Sequence, residues 1–240
     1  MKTIKTLAFS FFAGLLALTI VTVSTPISAE AATEVAATTV VQAPADEITD
    51  QEALDLQFMV EEEKLARDVY LTLDEEWNFR IFQNIARAEQ THMDAIRTLL
   101  TTYGVDDPTV GNDIGVFEND DLQALYDQLV ETGSLSLADA LLVGDAIEEI
   151  DILDLEERIA ETDKADILQV YENLLKGSEN HLRAFVSTYE RQTGEDYEPQ
   201  YLEQDAYDAI INADAETGGN GQGGSNNGGG GNNGGGGRGK

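Results

Sequence analysis

Cysteine is absent from the 240 residues, which excludes a disulfide framework, a thiolate zinc site and a lipoprotein anchor. Any metal on this chain must therefore be held by oxygen and imidazole. Imidazole is itself scarce, His92 and His181 being the only two histidines. Cationic side chains are scarce as well: 14 Lys plus Arg stand against 46 Asp plus Glu, for a formal net charge of −32 and a pI near 4.1. Nucleic-acid affinity comes largely from neutralising phosphates with Lys and Arg, so this deficit argues against a nucleic-acid partner. It favours solubility and the attraction of cations, and would suit a salty or alkaline habitat.

Long apolar runs are missing except near the start. There Lys2 and Lys5 precede an apolar stretch from Leu7 to Val23, followed by small residues around Ala29 and Ala31. This is the layout of a secretory signal peptide over residues 1–31, and it predicts an exported protein, secreted or held at the cell surface. The alternative is an uncleaved membrane anchor, which would be the chain's only membrane contact; a run of about 17 residues is the short end for a span. Residues 32–48 are Ala, Thr and Val-rich without a clear period and read as a linker. Residues 217–240, "TGGNGQGGSNNGGGGNNGGGGRGK", cannot bury enough apolar area to offset their ordering entropy, and read as a flexible tail.

Between the ends lie about 165 residues, enough for one domain with a sizeable core. Helical signals dominate and no convincing alternating strand pattern is present. Thr49 with Glu52 forms a capping box before "ALDLQFMVEEEKLARDVYLTL". Asn78 precedes a second helix, "FRIFQNIARAEQTHMDAIRTLLTTY", which Gly104 stops. A loop, "GVDDPTVGNDIGVFE", leads to a short helix ending at Gly133; its acids lack the ligand spacing and terminal Glu of an EF-hand. Ser136 is the expected cap of a third long helix and Thr162 of a fourth. Residues 194–216 form a C-terminal extension in which "EQDAYDAIINA" suggests one more short helix. The expectation is an all-α fold: a four-helix bundle over residues 49–193, whose crossover between the second and third long helices carries the short extra helix.

Following one stripe of each long helix at spacings of three and four exposes the informative feature. The stripes run Leu56, Met59, Glu63, Ala66, Tyr70, Leu73; then Ile85, Glu89, His92, Ile96, Leu99. The third long helix gives Leu137, Leu141, Gly144, Glu148, Asp151, Leu155, and the fourth Ile167, Tyr171, Leu174, Ser178, His181, Phe185. Each stripe is apolar at both ends and polar in its middle, so one layer of the core is polar in all four helices. A register shifted by one position would instead turn Glu62 or Glu149 inward. Several carboxylates in a bundle interior would repel one another, and a bound cation removes that objection. Glu89 and His92, three residues apart, can aim at one point. Carboxylates with two imidazoles and no thiolate match a di-iron or di-manganese site, with zinc as a further alternative.

At these residues the chain resembles the ferritin-like superfamily, and rubrerythrin-type di-iron domains in particular: "EEEKLARDVY" is similar to the first-helix glutamate pattern and "AEQTH" to its Glu-x-x-His helix. With "EEIDILDL" and "GSENHLRAF", the match is closer to an uncharacterised prokaryotic domain-of-unknown-function family regarded as ferritin-like, over about Leu54 to Tyr189. The resemblance implies a di-iron centre reacting with dioxygen or peroxide. Glu63 would bind one metal, Glu89 would bridge, His92 would bind from the second helix, Glu148 would bridge or bind from the third, and His181 would bind from the fourth. The chain departs from the pattern at Ser178, where a second Glu-x-x-His motif would carry glutamate. Glu179 is turned about 100 degrees away from that position, and Asp151, one turn after Glu148, is the better replacement.

Three functions remain open on sequence. One is an exported ferroxidase or peroxide- or dioxygen-reducing oxidoreductase containing two irons, whose partners are metal ions and the oxidant; a homodimer is compatible with it. The second is a cell-surface metal-binding or interaction protein whose metal is structural. The third is a metal-free helical interaction module.

Overall fold

The computed structural model describes residues 47–213. The signal segment, most of the linker and the glycine-rich tail lie outside the described residues. Six helices and no strand occur among the described residues: α1 (Asp50–Trp77), α2 (Arg80–Tyr103), α3 (Asp120–Gly133), α4 (Leu137–Glu161), α5 (Ala165–Thr193) and α6 (Gln204–Asn212). None of them is long and apolar enough to cross a membrane.

Local chemistry sets most of the helix ends. The Thr49 hydroxyl accepts from the Glu52 amide at 3.1 Å while the Glu52 carboxylate accepts from the Thr49 amide at 2.8 Å, completing the expected capping box. Gly104 closes α2 with a left-handed φ of 68°, and Ser136 caps α4. Asn78, which precedes α2 as expected, is the left-handed close of α1, with φ 45° and its amide donating to the Asp74 carbonyl. One expected cap serves the opposite end. Thr162 ends α4 rather than starting α5: its hydroxyl accepts from the Lys164 amide and donates to Glu52 at 2.5 Å.

The four long helices contact one another in a closed ring: α1 on α2, α2 on α5, α5 on α4 and α4 on α1. Their apolar side chains fall into two clusters. One holds Tyr70, Leu73, Phe82, Ile85, Leu141, Leu182 and Phe185; the other holds Leu56, Met59, Ile96, Leu99, Leu155, Ile167 and Leu174. Residue numbers rise from the second cluster to the first along α1 and α5, and from the first to the second along α2 and α4. The chain therefore leaves α2 at one end and must return to the other end to begin α4. Residues 105–119 and α3 make that return.

Buried polar groups on α1 pin the crossover. Lys64 donates to the Asp113 carbonyl at 2.9 Å, and Asp68 accepts from Lys64 and, at 3.0 Å, from the Gly115 amide. Glu61 accepts from the Glu118 amide at 2.6 Å. The C-terminal extension is held from α4 in a similar way. Glu149 accepts the Tyr197 hydroxyl at 2.7 Å and the amides of Gln200, Tyr201 and Leu202 at 2.9, 2.6 and 3.0 Å.

Candidate metal centre

The polar layer lies between the two apolar clusters. On α2 the cluster members Ile85 and Ile96 flank Glu89 and His92, and on α5 Leu174 and Leu182 flank Ser178 and His181. Apolar periodicity places the helices in this register, and the register drives the polar residues inward. Glu63, Glu89, Glu148 and Asp151 are each at most 5% exposed, and the two imidazoles are 13% exposed.

Five of the six residues expected at the site form two triads that share one member. Glu63, Glu89 and His92 make the first, and Glu89, Glu148 and His181 the second; in each, one donor atom per residue lies within 4.8 Å of the others. His92 Nδ1 is 3.1 Å from Glu63 Oε2 and 2.8 Å from Glu89 Oε2. His181 Nδ1 is 2.8 Å from Glu89 Oε1 and 3.4 Å from Glu148 Oε2. The two rings stack at 5.5 Å between centroids.

Asp151, the sixth, is buried one turn beyond Glu148 but stands outside both triads. The Ser178 hydroxyl donates to its Oδ2, so the serine in place of the expected glutamate orients a carboxylate from the facing helix. Tyr70 donates to Glu148 Oε1 at 2.5 Å from among the rings of Phe82 and Phe185. Tyr171 lies in the other apolar cluster. The register alternatives resolve separately. Glu149 faces away and holds the C-terminal extension, whereas Glu62 is buried, shares a hydrogen bond with Asp154 and feels the charge of Asp151.

Several buried donor atoms have no hydrogen-bond partner: Glu63 Oε1, Glu89 Oε1, Asp151 Oδ1 and His181 Nδ1. Glu89 Oε1 and His181 Nδ1 are 2.8 Å apart and pair as ions when the imidazole is protonated. Such burial is expensive unless something else uses those lone pairs. A cation would use them, and the oxygen and nitrogen donor set suits iron, manganese or zinc.

The electrostatics agree with a site short of positive charge. Burial opposes charge on the histidines, but Glu63 and Glu89 outweigh it and raise His92 well above its ordinary value. Glu89 and Glu148 likewise raise His181 to about 10. Burial would raise Glu89, yet the charges of His181 and His92 hold it below the usual carboxylate range. Burial pushes Glu63 up to about 7 against the pull of His92. Glu148 is raised by burial and by Glu89, and Asp151 by burial and by Glu63. Without metal, the two imidazoliums act as the layer's cations.

Reasoning from the sequence missed one contributor. A Cβ on Gly177 would lie 2.5 Å from His92 Nε2, so this glycine makes room for the ring. The available signal was a glycine in the interior of a long helix, which costs about 1 kcal/mol relative to alanine and calls for a packing reason.

Fold and site together define an all-helical protein with a buried carboxylate and imidazole layer. More particularly, residues 52–214 match the model of an uncharacterized protein domain, DUF2202, and the chain belongs to that family. It is 51% identical over 177 residues to "Uncharacterized protein MJ0754" of Methanocaldococcus jannaschii, spanning 74% of this chain and 95% of that protein. The crystal structure titled hypothetical protein MJ0754 from Methanococcus jannaschii is similar with a TM-score of 0.69 at 50% identity, covering 73% of this chain and 99% of that one.

Proposed function

We propose that the protein is an exported, ferritin-like four-helix bundle with a two-metal carboxylate centre, most consistent with iron, acting as a ferroxidase or a peroxide- or dioxygen-reducing oxidoreductase. The observation that carries this reading is Glu89, which belongs to both triads and turns one oxygen to the histidine of each. Glu63 and His92 would hold one ion, Glu148 and His181 the other, and Glu89 both. The closed helix ring with a crossover, and the motifs "EEEKLARDVY" and "AEQTH", support the ferritin-like assignment. Export rests on the pattern of residues 1–31 alone.

A bound iron pair would exchange two electrons with the oxidant. The chain's own residues do the rest. Tyr70 orients Glu148, Ser178 orients Asp151, and the apolar clusters on both sides exclude bulk water. A second reading, a cell-surface protein with a structural metal, draws support from Asp151, which stands outside both triads and so leaves them one carboxylate short.

Metal loading separates these readings. The wild type is expected to bind two ferrous ions per chain and consume dioxygen or peroxide on their addition. Glu89→Gln should lose both ions and His181→Ala at least one, with helicity unchanged by circular dichroism. Stoichiometric metal without turnover would support the structural reading, and no metal in the wild type would overturn both.

A further inference from the structure

Asp145, on α4, is a buried carboxylate with no part in the metal layer or in holding the crossover and the extension. It is 0% exposed, and neither of its oxygens has a hydrogen-bond partner. The charges that act on it are Glu148 and Glu149 of its own helix and Glu190 of α5, all of its own sign. Burial and these neighbours hold its carboxyl well above the usual carboxylate range. The C-terminal extension lies over it. Gln200 donates from its side chain to the Leu142 carbonyl at 3.0 Å and from its amide to Glu149 at 2.9 Å, so the extension grips α4 about one turn to either side of Asp145. Tyr197 is tied down there too, its hydroxyl to Glu149 at 2.7 Å and its amide to Glu190 at 3.4 Å. Its ring lies 6.0 Å from that of Tyr189 and 5.8 Å from that of Tyr207, and the charge of Asp145 reaches all three tyrosines.

We propose that Asp145 makes the C-terminal extension, residues 194–212, a pH-operated cover, which closes on α4 while Asp145 carries a proton and loosens as that proton is lost. A neutral carboxyl is far cheaper to bury than a carboxylate with three acids near it and no donor or cation beside it. Opening the cover returns Asp145 to water, where a carboxyl of its kind ionises near ~3.9. The closed form therefore binds the proton more tightly. Its advantage is complete below that pH and is lost as the pH rises toward the value in the closed form, by at most about tenfold per pH unit for one proton. Because opening hydrates Asp145, the loss stops growing once the cover is open. Opening would turn residues 194–212 from a fixed segment into a tether between the bundle and the chain that follows. The device is independent of the metal centre, since Asp145 belongs to neither triad.

Hydrogen exchange measured as a pH series tests the cover through the amides of Gln200, Tyr201 and Leu202. Corrected for intrinsic exchange, their protection is expected to fall by about tenfold or more between ~pH 5 and ~pH 8, while the amides of Met93 and Ile96 in α2 keep theirs. Asp145→Asn, close in shape to the neutral carboxyl and unable to ionise, should level this pH dependence and keep the cover closed at the upper end of the series. Asp145→Leu, which cannot ionise either, should behave alike, and so separates loss of the acid from any perturbation peculiar to the amide. Level protection in the wild type, an unchanged slope in both variants, or an equal loss at Met93 and Ile96 would overturn the proposal.

Discussion

At the proposed metal centre, protons and metal ions would compete for the same lone pairs on His92 and His181. With both imidazoles raised by their carboxylate neighbours, His181 to about 10, the metal-free site is protonated at neutral pH. Metal must displace those protons, and some of the proton on Glu63, whose value sits at about 7. Uptake at neutral pH is therefore expected to release about two protons per chain, measured by calorimetry in buffers of different ionisation enthalpy, and affinity should rise with pH. Stability of the metal-free fold runs the other way. A histidine raised on folding contributes stability that is fully present below its unfolded value of ~6.5. For His181 it is lost as the pH climbs through about 10. Metal-free protein should thus weaken in alkali, and metal-loaded protein should not.

At the scale of the helix, α5 offers a sharp contrast between propensity and packing. Gly177→Ala in an ordinary helix interior would stabilise by about 1 kcal/mol. Here the added methyl would sit 2.5 Å from His92 Nε2, so the ring must leave the position in which its Nδ1 meets Glu63 and Glu89. The expected result is about a tenfold or greater loss of metal affinity, read by calorimetry, with helical content intact. On α4, Glu149→Ala would leave the Tyr197 hydroxyl and three amides without their acceptor. A stability loss of about 3 kcal/mol or more follows, with hydrogen exchange faster at Gln200, Tyr201 and Leu202. The same helices show what a sequence discloses. Every residue of the α1 stripe from Leu56 to Leu73 is buried, but so is every residue from Met59 to Ala66, because the crossover covers the other side of α1. Thr162 closes α4 where it is expected to open α5, because a threonine hydroxyl can bond backbone or side chain at either end of a helix. Glu61, Asp68 and Glu149 are as buried as the triad glutamates, yet they hold backbone amides far away in sequence. No local pattern separates such an anchor from a ligand. The partnership of Ser178 with Asp151 was hidden for the same reason: it spans 27 residues and joins two helices.

Across the whole molecule, two kinds of negative charge oppose folding and respond to different remedies. The formal charge of −32 creates self-repulsion that is spread over the surface and screened by any salt. The polar layer, by contrast, lies between apolar clusters, where mobile ions penetrate little and the two imidazoliums offset only part of the carboxylate charge. The two contributions should therefore separate in thermal denaturation. Raising sodium chloride from ~0.05 to ~1 M is expected to lift the Tm of metal-free wild type by several degrees, and that of Glu89→Gln by a similar amount. Adding ferrous iron anaerobically at about 100 times its Kd should stabilise the wild type by a further ~2.7 kcal/mol for each ion bound, at low and high salt alike. Glu89→Gln should lack that second increment, because its amide cannot serve both triads as an anion. A variant that keeps the increment would mean that iron stabilises the protein from the acidic surface and not from the layer.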